Sequence, residues 1–392
     1  MALSQRILGI QPSATMAVDK KAKEMLQRGE DIAAFGVGEP DFHTPDNVKK
    51  AAAWAIQNNK TLYTPAGGIS ELKKAIAAKL KRENNLDYNE NNIIVSCGGK
   101  HALYNIFQAL LNKGDEVIVP KPYWVSYIEQ IRLAQGKEVI VGTDEKFKIK
   151  ADIIEKAITD KTKIIVITSP NNPTGAVVDA SELKKIAEIA AKRKIYVISD
   201  EVYEHFIYDG GKYCTIASFG DEMKKLALIV NSVSKTYAMT GWRIGYCAGP
   251  EEIVKKMTDM QSHVTSNPTS IAQYAAIEAL NGPQDSVKMM IKEFDKRRKV
   301  LVDGLNTIPG IKCNMPEGAF YAFPDVSGLY NSKVNGSLAF SDFLLEKHKT
   351  AVVPGIAFGD DNCVRLSYAT SEEIIKKGLE RIKKCAEELL GK

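Results

Sequence analysis

Between residues 93 and 230 the chain alternates between two patterns of hydrophobic and polar positions. Short β-branched runs (NIIVS, EVIVP, EVIVG, KIIVITS, IYVISDE, LALIVNS) are separated by stretches whose apolar residues recur every three or four positions. The runs predict strands and the periodic stretches predict helices, which together imply a mostly parallel sheet covered by helices. Upstream, Thr44 followed by Pro45 reads as an N-cap with proline at the first helical position, opening a helix through VKKAAAWAI. Ser70 opens a second helix, SELKKAIAAKL, with Leu72, Ile76 and Leu80 on one face. PNNPTG breaks the pattern, and a further helix starts at about Ser181. After about Pro283 the text turns into a charged helix (IKEFDKRRKVLVDGL), then short strands around AFYAF and CVRLSYA. The expected organisation is a large domain over 45–285 and a smaller α+β domain over 286–392, joined by the N-terminal segment 1–44.

A length of 392 residues, 44% of them hydrophobic, suits two domains better than one core. The net charge of +5 comes from 53 Lys plus Arg against 48 Asp plus Glu, with the signs mixed along solvated helix faces, so no nucleic-acid stripe is expected. Six cysteines form no CxxC pair and five histidines no HExxH, which argues against a disulfide framework and a zinc site. No metal is expected. No apolar run is long enough for a signal peptide or a membrane span, and a cytoplasmic location is expected.

Polar residues collect at the carboxyl ends of four of these strands, where ligands gather in parallel α/β sheets. NIIVS ends at Gly98, Gly99 and Lys100, and a helix follows. KIIVITS runs into Asn171 and Asn172, IYVIS into Asp200 with Tyr203 just after, and LALIVNS into Ser232 and Lys235. Taken singly, each has a plain explanation: CGGK as a turn, SPNNPTG as a turn, Asp200 as a helix cap, Trp124 as core, Lys235 and Arg243 as solvated loop charges. His101 and His205 read as supporting or surface residues.

The conjunction reads differently. A glycine turn into a helix N-terminus offers free N–H groups to an anion. Ser232 and Arg243 add a hydroxyl and a planar cationic fork suited to phosphate. Asp200 suits a protonated ring nitrogen, and Tyr203 and Asn172 suit a ring oxygen. Trp124 can cover an aromatic ring, and Lys235 is an amine able to form a Schiff base. Together they describe pyridoxal phosphate.

SPNNPTG, SDEVYEH, SVSKTYAMTGWRIGY and VRLSYA, in this order, resemble the class I aminotransferases of the pyridoxal-phosphate fold-type I superfamily. The similarity spans nearly the whole chain and is greatest to the bacterial and plastid aspartate aminotransferase subgroup, some of whose members also use prephenate. The resemblance implies a fold-type I α/β architecture with a mostly parallel seven-stranded sheet and a smaller α+β domain. It implies that Lys235 holds the cofactor covalently and later moves a proton between the substrate Cα and the cofactor. It assigns Asp200 to the ring nitrogen, Tyr203 and Asn172 to the ring oxygen, and Trp124 to stacking. Ser232, Arg243 and the backbone of Gly99 and Lys100 take the phosphate. Arg365 takes the substrate α-carboxylate with help from the Gly38 backbone. Tyr63 reaches the phosphate of a neighbouring subunit in a homodimer with shared sites.

One departure is informative. Better-known relatives read the distal carboxylate with an arginine from the partner subunit, and the corresponding loop here, MQSHVTSNPTS (residues 260–270), has none. In the subgroup a lysine in GGK does that work, so Lys100 is expected to do it, with Thr15 in the same subgroup pattern. The expected activity is transamination between aspartate or glutamate and a 2-oxo acid, with prephenate as a further acceptor. The alternatives are a carbon–sulfur β-lyase on the same fold and a non-catalytic regulator. The regulator is disfavoured because only about 12 residues precede PSAT, too few for a DNA-binding segment.

Overall fold

The computed structural model describes residues 3–11 and 14–391. Twelve strands occur in chain order among these residues: β1 (Ala33–Ala34), β2 (Ile93–Ser96), β3 (Glu116–Pro120), β4 (Lys137–Val141), β5 (Thr162–Thr168), β6 (Tyr196–Asp200), β7 (Ala227–Ser232), β8 (Gly245–Ala248), β9 (Tyr321–Ala322), β10 (Thr350–Ala351), β11 (Val353–Pro354) and β12 (Val364–Ser367). Seven of them form one sheet in the order β2-β8-β7-β6-β5-β3-β4. Only β8 runs antiparallel to its neighbours. The six sequence-predicted strands are all present. The seventh, β8, was not expected from GYCA, a short run hidden behind the polar TGWRIG.

The central strands lack the polar–apolar alternation of a half-exposed sheet because both faces are covered. Ile164 and Val166 pack with Leu103, Phe107 and Ile131 on one side. Ile165 and Ile167 pack with Leu183, Ile186 and Ala187 on the other. The helix Ser70–Asn84 buries Leu72, Ile76 and Leu80, as its periodicity predicts. The helix predicted after Thr44 runs from Asp46 to Gln57, and Thr44 does not cap it. The Thr44 hydroxyl instead donates to the Ala238 carbonyl (2.7 Å) and accepts from the Trp242 indole (3.0 Å). The stretch 260–270, expected as a loop, is half helical: the helix Glu251–Val264 takes its first five residues, and the next helix begins at Ser270.

Two small sheets lie apart from the large one: β1 pairs in parallel with β10, and β11-β12-β9 form an antiparallel set. The N-terminal strand therefore pairs with residues near 350, and the Phe35 amide extends the ladder to the Ala351 carbonyl. This brings the FGVGEP segment beside the strand that carries Arg365. No helix among the described residues is long and apolar enough to cross a membrane.

Candidate active site

Register aligns the functional strand ends. Thr168 pairs with Asp200 across β5 and β6. Gly245 of β8 pairs with Ser96 on one side and Ser232 on the other. The strand ends open into a cavity of about 460 Å³. Gly99, Lys100, Trp124, Asn172, Asp200 and Tyr203 line it, as do Ser232, Lys235 and Arg243. Gly38 and Arg365 close it from the side of the small sheets. Eleven of the thirteen predicted site residues thus meet in one place. Tyr63 does not: it lies on a loop before Ser70 and is 91% exposed. Thr15 belongs to the helix Ala14–Gln27, and its side chain lies outside what the structure describes.

The turn at the end of β2 has little room. Gly98 sits at φ 89°, and a Cβ there would approach Arg243 Nη2 to 2.3 Å. A Cβ on Gly245 would lie 2.2 Å from the Gly99 nitrogen. Two glycines therefore let β8 and the Arg243 guanidinium close on the start of the helix Gly99–Leu110. First-turn amides of a helix have no intrahelical acceptor, so this end offers donors to an anion. Arg243 is held there by the carbonyls of Thr240 (2.8 Å) and Cys97 (3.2 Å). Ser232 is the last residue of β7, and its Oγ accepts from the Ser234 amide (3.3 Å) as the N-cap of the turn Val233–Thr236.

Asp200 is buried and, among the described residues, has no ion pair. Burial raises its carboxyl to about 6, against the opposing pull of Tyr127, the Val202 amide and Lys235. Tyr127 donates to Asp200 Oδ2 (2.6 Å) and also meets the Thr168 hydroxyl (2.6 Å). Lys235 donates from Nζ to the Gly38 carbonyl (2.6 Å). Burial lowers its ammonium to about 8; Glu39 opposes this, and Arg365, Arg243 and Lys100 add to it. An amine near 8 is far more often neutral at pH 7 than an ordinary lysine, as a nucleophile requires.

Arg365 is 3% exposed and faces no carboxylate among the described residues. It donates to Asn172 Oδ1 (3.1 Å) and to the Gly36 carbonyl (2.7 Å), while its Nε finds no partner among the described residues. Its guanidinium lies over the Tyr321 ring (4.6 Å) and the Phe358 ring (5.2 Å), and burial lowers its pKa. Tyr321 also meets the Tyr203 hydroxyl (2.8 Å). Lys100 Nζ lies 4.8 Å from the Trp124 ring centroid. Burial first and Arg243 second lower its pKa.

The residues fit pyridoxal phosphate on the structure's own terms. Among the described residues, Asp200 is a buried carboxyl with no ion pair and Arg365 a buried cation with none, and Arg243 stands with Ser232 at a helix N-terminus. Each wants a charge that one phosphorylated pyridine and its amino-acid substrate together would supply. Tyr127, Tyr321 and Glu39 belong to the site and were not singled out from sequence. They lie in the stretches PYWVSY (122–127), AFYAF (319–323) and FGVGEP (35–40), in which no local pattern marks which member faces the cavity.

This fold, with a lysine, an aspartate and an arginine meeting at the strand ends, defines a pyridoxal-phosphate enzyme of the aminotransferase type. Residues 30–382 match the model of the aminotransferases of class I and II. The chain belongs to that family, whose members use pyridoxal phosphate. It is 49% identical over 391 residues to the probable aspartate/prephenate aminotransferase of Aquifex aeolicus (strain VF5), covering 99% of both chains. It is 48% identical over 383 residues to the aspartate aminotransferase of Bacillus sp. (strain YM-2), covering 97% of this chain and 98% of that one. Among solved structures it superposes on the Thermus thermophilus aspartate aminotransferase with maleate at a TM-score of 0.94 and 43% identity, covering 98% of this chain and all of that one.

Proposed function

We propose that this enzyme moves the amino group of aspartate or glutamate to 2-oxoglutarate or oxaloacetate, acting as an aspartate transaminase, with prephenate among its acceptors. The observation that carries the reading is Arg365: a guanidinium buried beside Lys235 with no carboxylate to pair with among the described residues. Such a group is costly unless a ligand carboxylate meets it, and every amino acid and 2-oxo acid brings one.

Bound pyridoxal phosphate supplies an aldehyde carbon for the amino group and a ring that draws electrons from the substrate Cα. The chain's residues do the rest. Lys235 would anchor the cofactor, and its amine is placed to move a proton at the substrate Cα. Asp200, held by Tyr127, would keep a proton on the ring nitrogen. Tyr203 and Asn172 would bond the ring oxygen, and Trp124 would cover the ring. Ser232, Arg243 and the amides of Gly99 and Lys100 would hold the phosphate. Arg365 and the Gly38 backbone orient the α-carboxylate. Tyr63, exposed as it stands, fits a place in a homodimer in which it reaches the partner's phosphate. We assign residues 1–44 to the small domain with 286–392, leaving 45–285 as the large one; the pairing of β1 with β10 supports this. The β-lyase reading is less well supported, and incubation with a single amino acid separates the two: a lyase releases pyruvate and ammonia, a transaminase needs a 2-oxo acid and yields a new amino acid.

Arg365→Lys should depress all amino-acid substrates by a similar factor. A lysine cannot make the two parallel bonds of a guanidinium to a carboxylate, and every substrate carries that carboxylate. A loss confined to dicarboxylic substrates would reassign Arg365 to the distal group.

Lys100→Ala should cost aspartate and glutamate about 10- to 100-fold in kcat/KM, the equivalent of one charge-assisted contact of roughly 1.5–3 kcal/mol. Prephenate should lose by the same factor. Alanine, which has no distal carboxylate, should change little. Lys100 is exposed, but it lines the cavity and its Nζ lies against the Trp124 ring, which supports a role towards the bound substrate. Half-reactions followed by the cofactor's colour change with each donor decide it. Equal loss for alanine and aspartate would make Lys100 a cofactor ligand only.

A further inference from the structure

The motif SDEVYEH contains more than Asp200 and Tyr203. Its Glu204 and His205 belong to a ring of polar side chains behind the turn Val233–Thr236, the four-residue turn that carries Lys235. At the front of the turn, Asn231 Oδ1 accepts from the Ser232 amide (2.7 Å), while its Nδ2 donates to Glu204 Oε1. Lys79 pairs with that same carboxylate oxygen, and Asn84 Nδ2 donates to the other (2.9 Å). Lys79 Nζ also lies 3.5 Å from Glu83, whose Oε2 meets His205 Nε2 at 3.1 Å. The other ring nitrogen of His205 reaches the Thr236 hydroxyl at the far end of the turn (3.3 Å). Glu83, Glu204 and His205 place ligand atoms within 4.8 Å of one another, but the Lys79 ammonium already provides the cation between them.

This is a poor construction for stability alone. Lys79 is 1% and Glu204 6% exposed. A buried ion pair seldom outperforms apolar side chains of the same volume, whereas it can specify one arrangement. The arrangement specified here is the orientation of an amide. Two contacts hold the Asn231 amide in one orientation: its oxygen accepts from the Ser232 N–H and its NH₂ donates to Glu204. With Glu204 gone, the Ser232 N–H alone still selects that orientation, and the NH₂ that anchored the side chain is left without its acceptor.

We propose that the ring Asn231–Glu204–Lys79–Glu83–His205–Thr236 is a positioning device that fixes both ends of the turn bearing Lys235, so that its amine meets the reacting carbons. This rests on the assignment of Lys235 as the anchoring and proton-moving lysine. A turn of four residues has too few internal hydrogen bonds to hold its own pitch, and β7 secures only one side. A displacement of about 1 Å can cost about 10²-fold in rate.

The test uses Lys79→Met/Glu204→Met, which removes both charges together and leaves no uncompensated ion, and Thr236→Val, which deletes one neutral contact at the other end. In the cofactor-loaded double variant, kcat per bound cofactor should fall about 10- to 100-fold while KM for aspartate moves much less. Amide hydrogen exchange over residues 232–238 should be faster than in the parent, in the cofactor-free as well as the loaded protein. Thr236→Val should show the same signs with a smaller loss, about 3- to 10-fold. A role in stability alone predicts a lower melting temperature with unchanged kcat per site and unchanged exchange in this segment, and that result overturns the proposal. If the double variant does not fold, parent-like kcat and exchange in Thr236→Val overturn it equally. Borohydride reduction of the parent shows which lysine carries the cofactor. A label on another lysine overturns the assignment of Lys235 and this proposal with it, whereas a label on Lys235 with unchanged kcat in both variants overturns the positioning role alone.

Discussion

Lys235→Ala should still take up pyridoxal phosphate but hold it without a covalent link, and its turnover should collapse. The phosphate contacts at Ser232, Arg243 and the helix start do not involve Lys235, so affinity weakens rather than vanishes. The loss in rate has two sources. Proton transfer by a positioned base is worth about 10²–10⁴-fold, and the same deletion removes the nucleophile that prepares the cofactor for exchange with substrate. Together they should exceed either alone. The position supports both roles: Nζ reaches the Gly38 carbonyl across the cavity, and burial together with three neighbouring cations holds the amine near 8. Single-turnover mixing of the variant with aspartate, followed by cofactor absorbance, measures the effect. Turnover within tenfold of the parent would mean that another group carries the proton.

Asp200→Ala should cost about 10²–10³-fold, the scale on which removal of one charge-stabilising group acts. Without the carboxylate the ring nitrogen loses its counter-charge and its pKa falls, so less of the bound cofactor carries the proton that makes it accept electrons. Asp200→Glu should retain more activity than Asp200→Ala; equal inactivity with intact folding and cofactor content would make geometry the requirement in place of charge. The cofactor-free protein offers a second reading. There, burial raises the Asp200 carboxyl from its ordinary value near 4 to about 6. A carboxyl raised in the folded state costs nothing below its unfolded pKa and costs stability increasingly as pH climbs towards its folded pKa. Asp200→Asn should therefore stabilise the cofactor-free protein above about pH 6 and leave it unchanged below about pH 4, as thermal melts across that range would show. A loss of stability at pH 7 would mean that Asp200 already has a cation in the absence of cofactor.

Much of this was legible in the chain because the chemistry is tied to strand ends, and strand ends are local features. Fully apolar β-branched runs announce buried strands, and the polar residues following them mark where the sheet opens. Lys235, Asp200, Ser232 and Asn172 could be located from that alone. Their candidate roles followed from residue types taken together, and the resemblance then assigned each one, since spacing alone does not say which carboxylate meets a ring nitrogen. The strand β8 escaped because four residues, GYCA, carry too little pattern, and its direction depends on pairing with β7 and β2. Tyr127 escaped because it sits in an aromatic-rich stretch in which any of three rings is equally plausible by sequence.

What the sequence by itself determined is most of the elements, the class of chemistry and the residue types at the ends of the central strands. These follow from short-range rules: hydrophobic period, turn residues and motif spacing. Only the tertiary structure decided the partners. Arg365 comes to Asn172 across 193 positions and to Gly36 across 329. Lys79 comes to Glu204 across 125, and an exposed-looking lysine within SELKKAIAAKL proves to be buried. Charge is read locally in a sequence, but whether it is solvated, paired or left waiting for a ligand depends on what burial brings against it, and burial is a property of the whole packed chain.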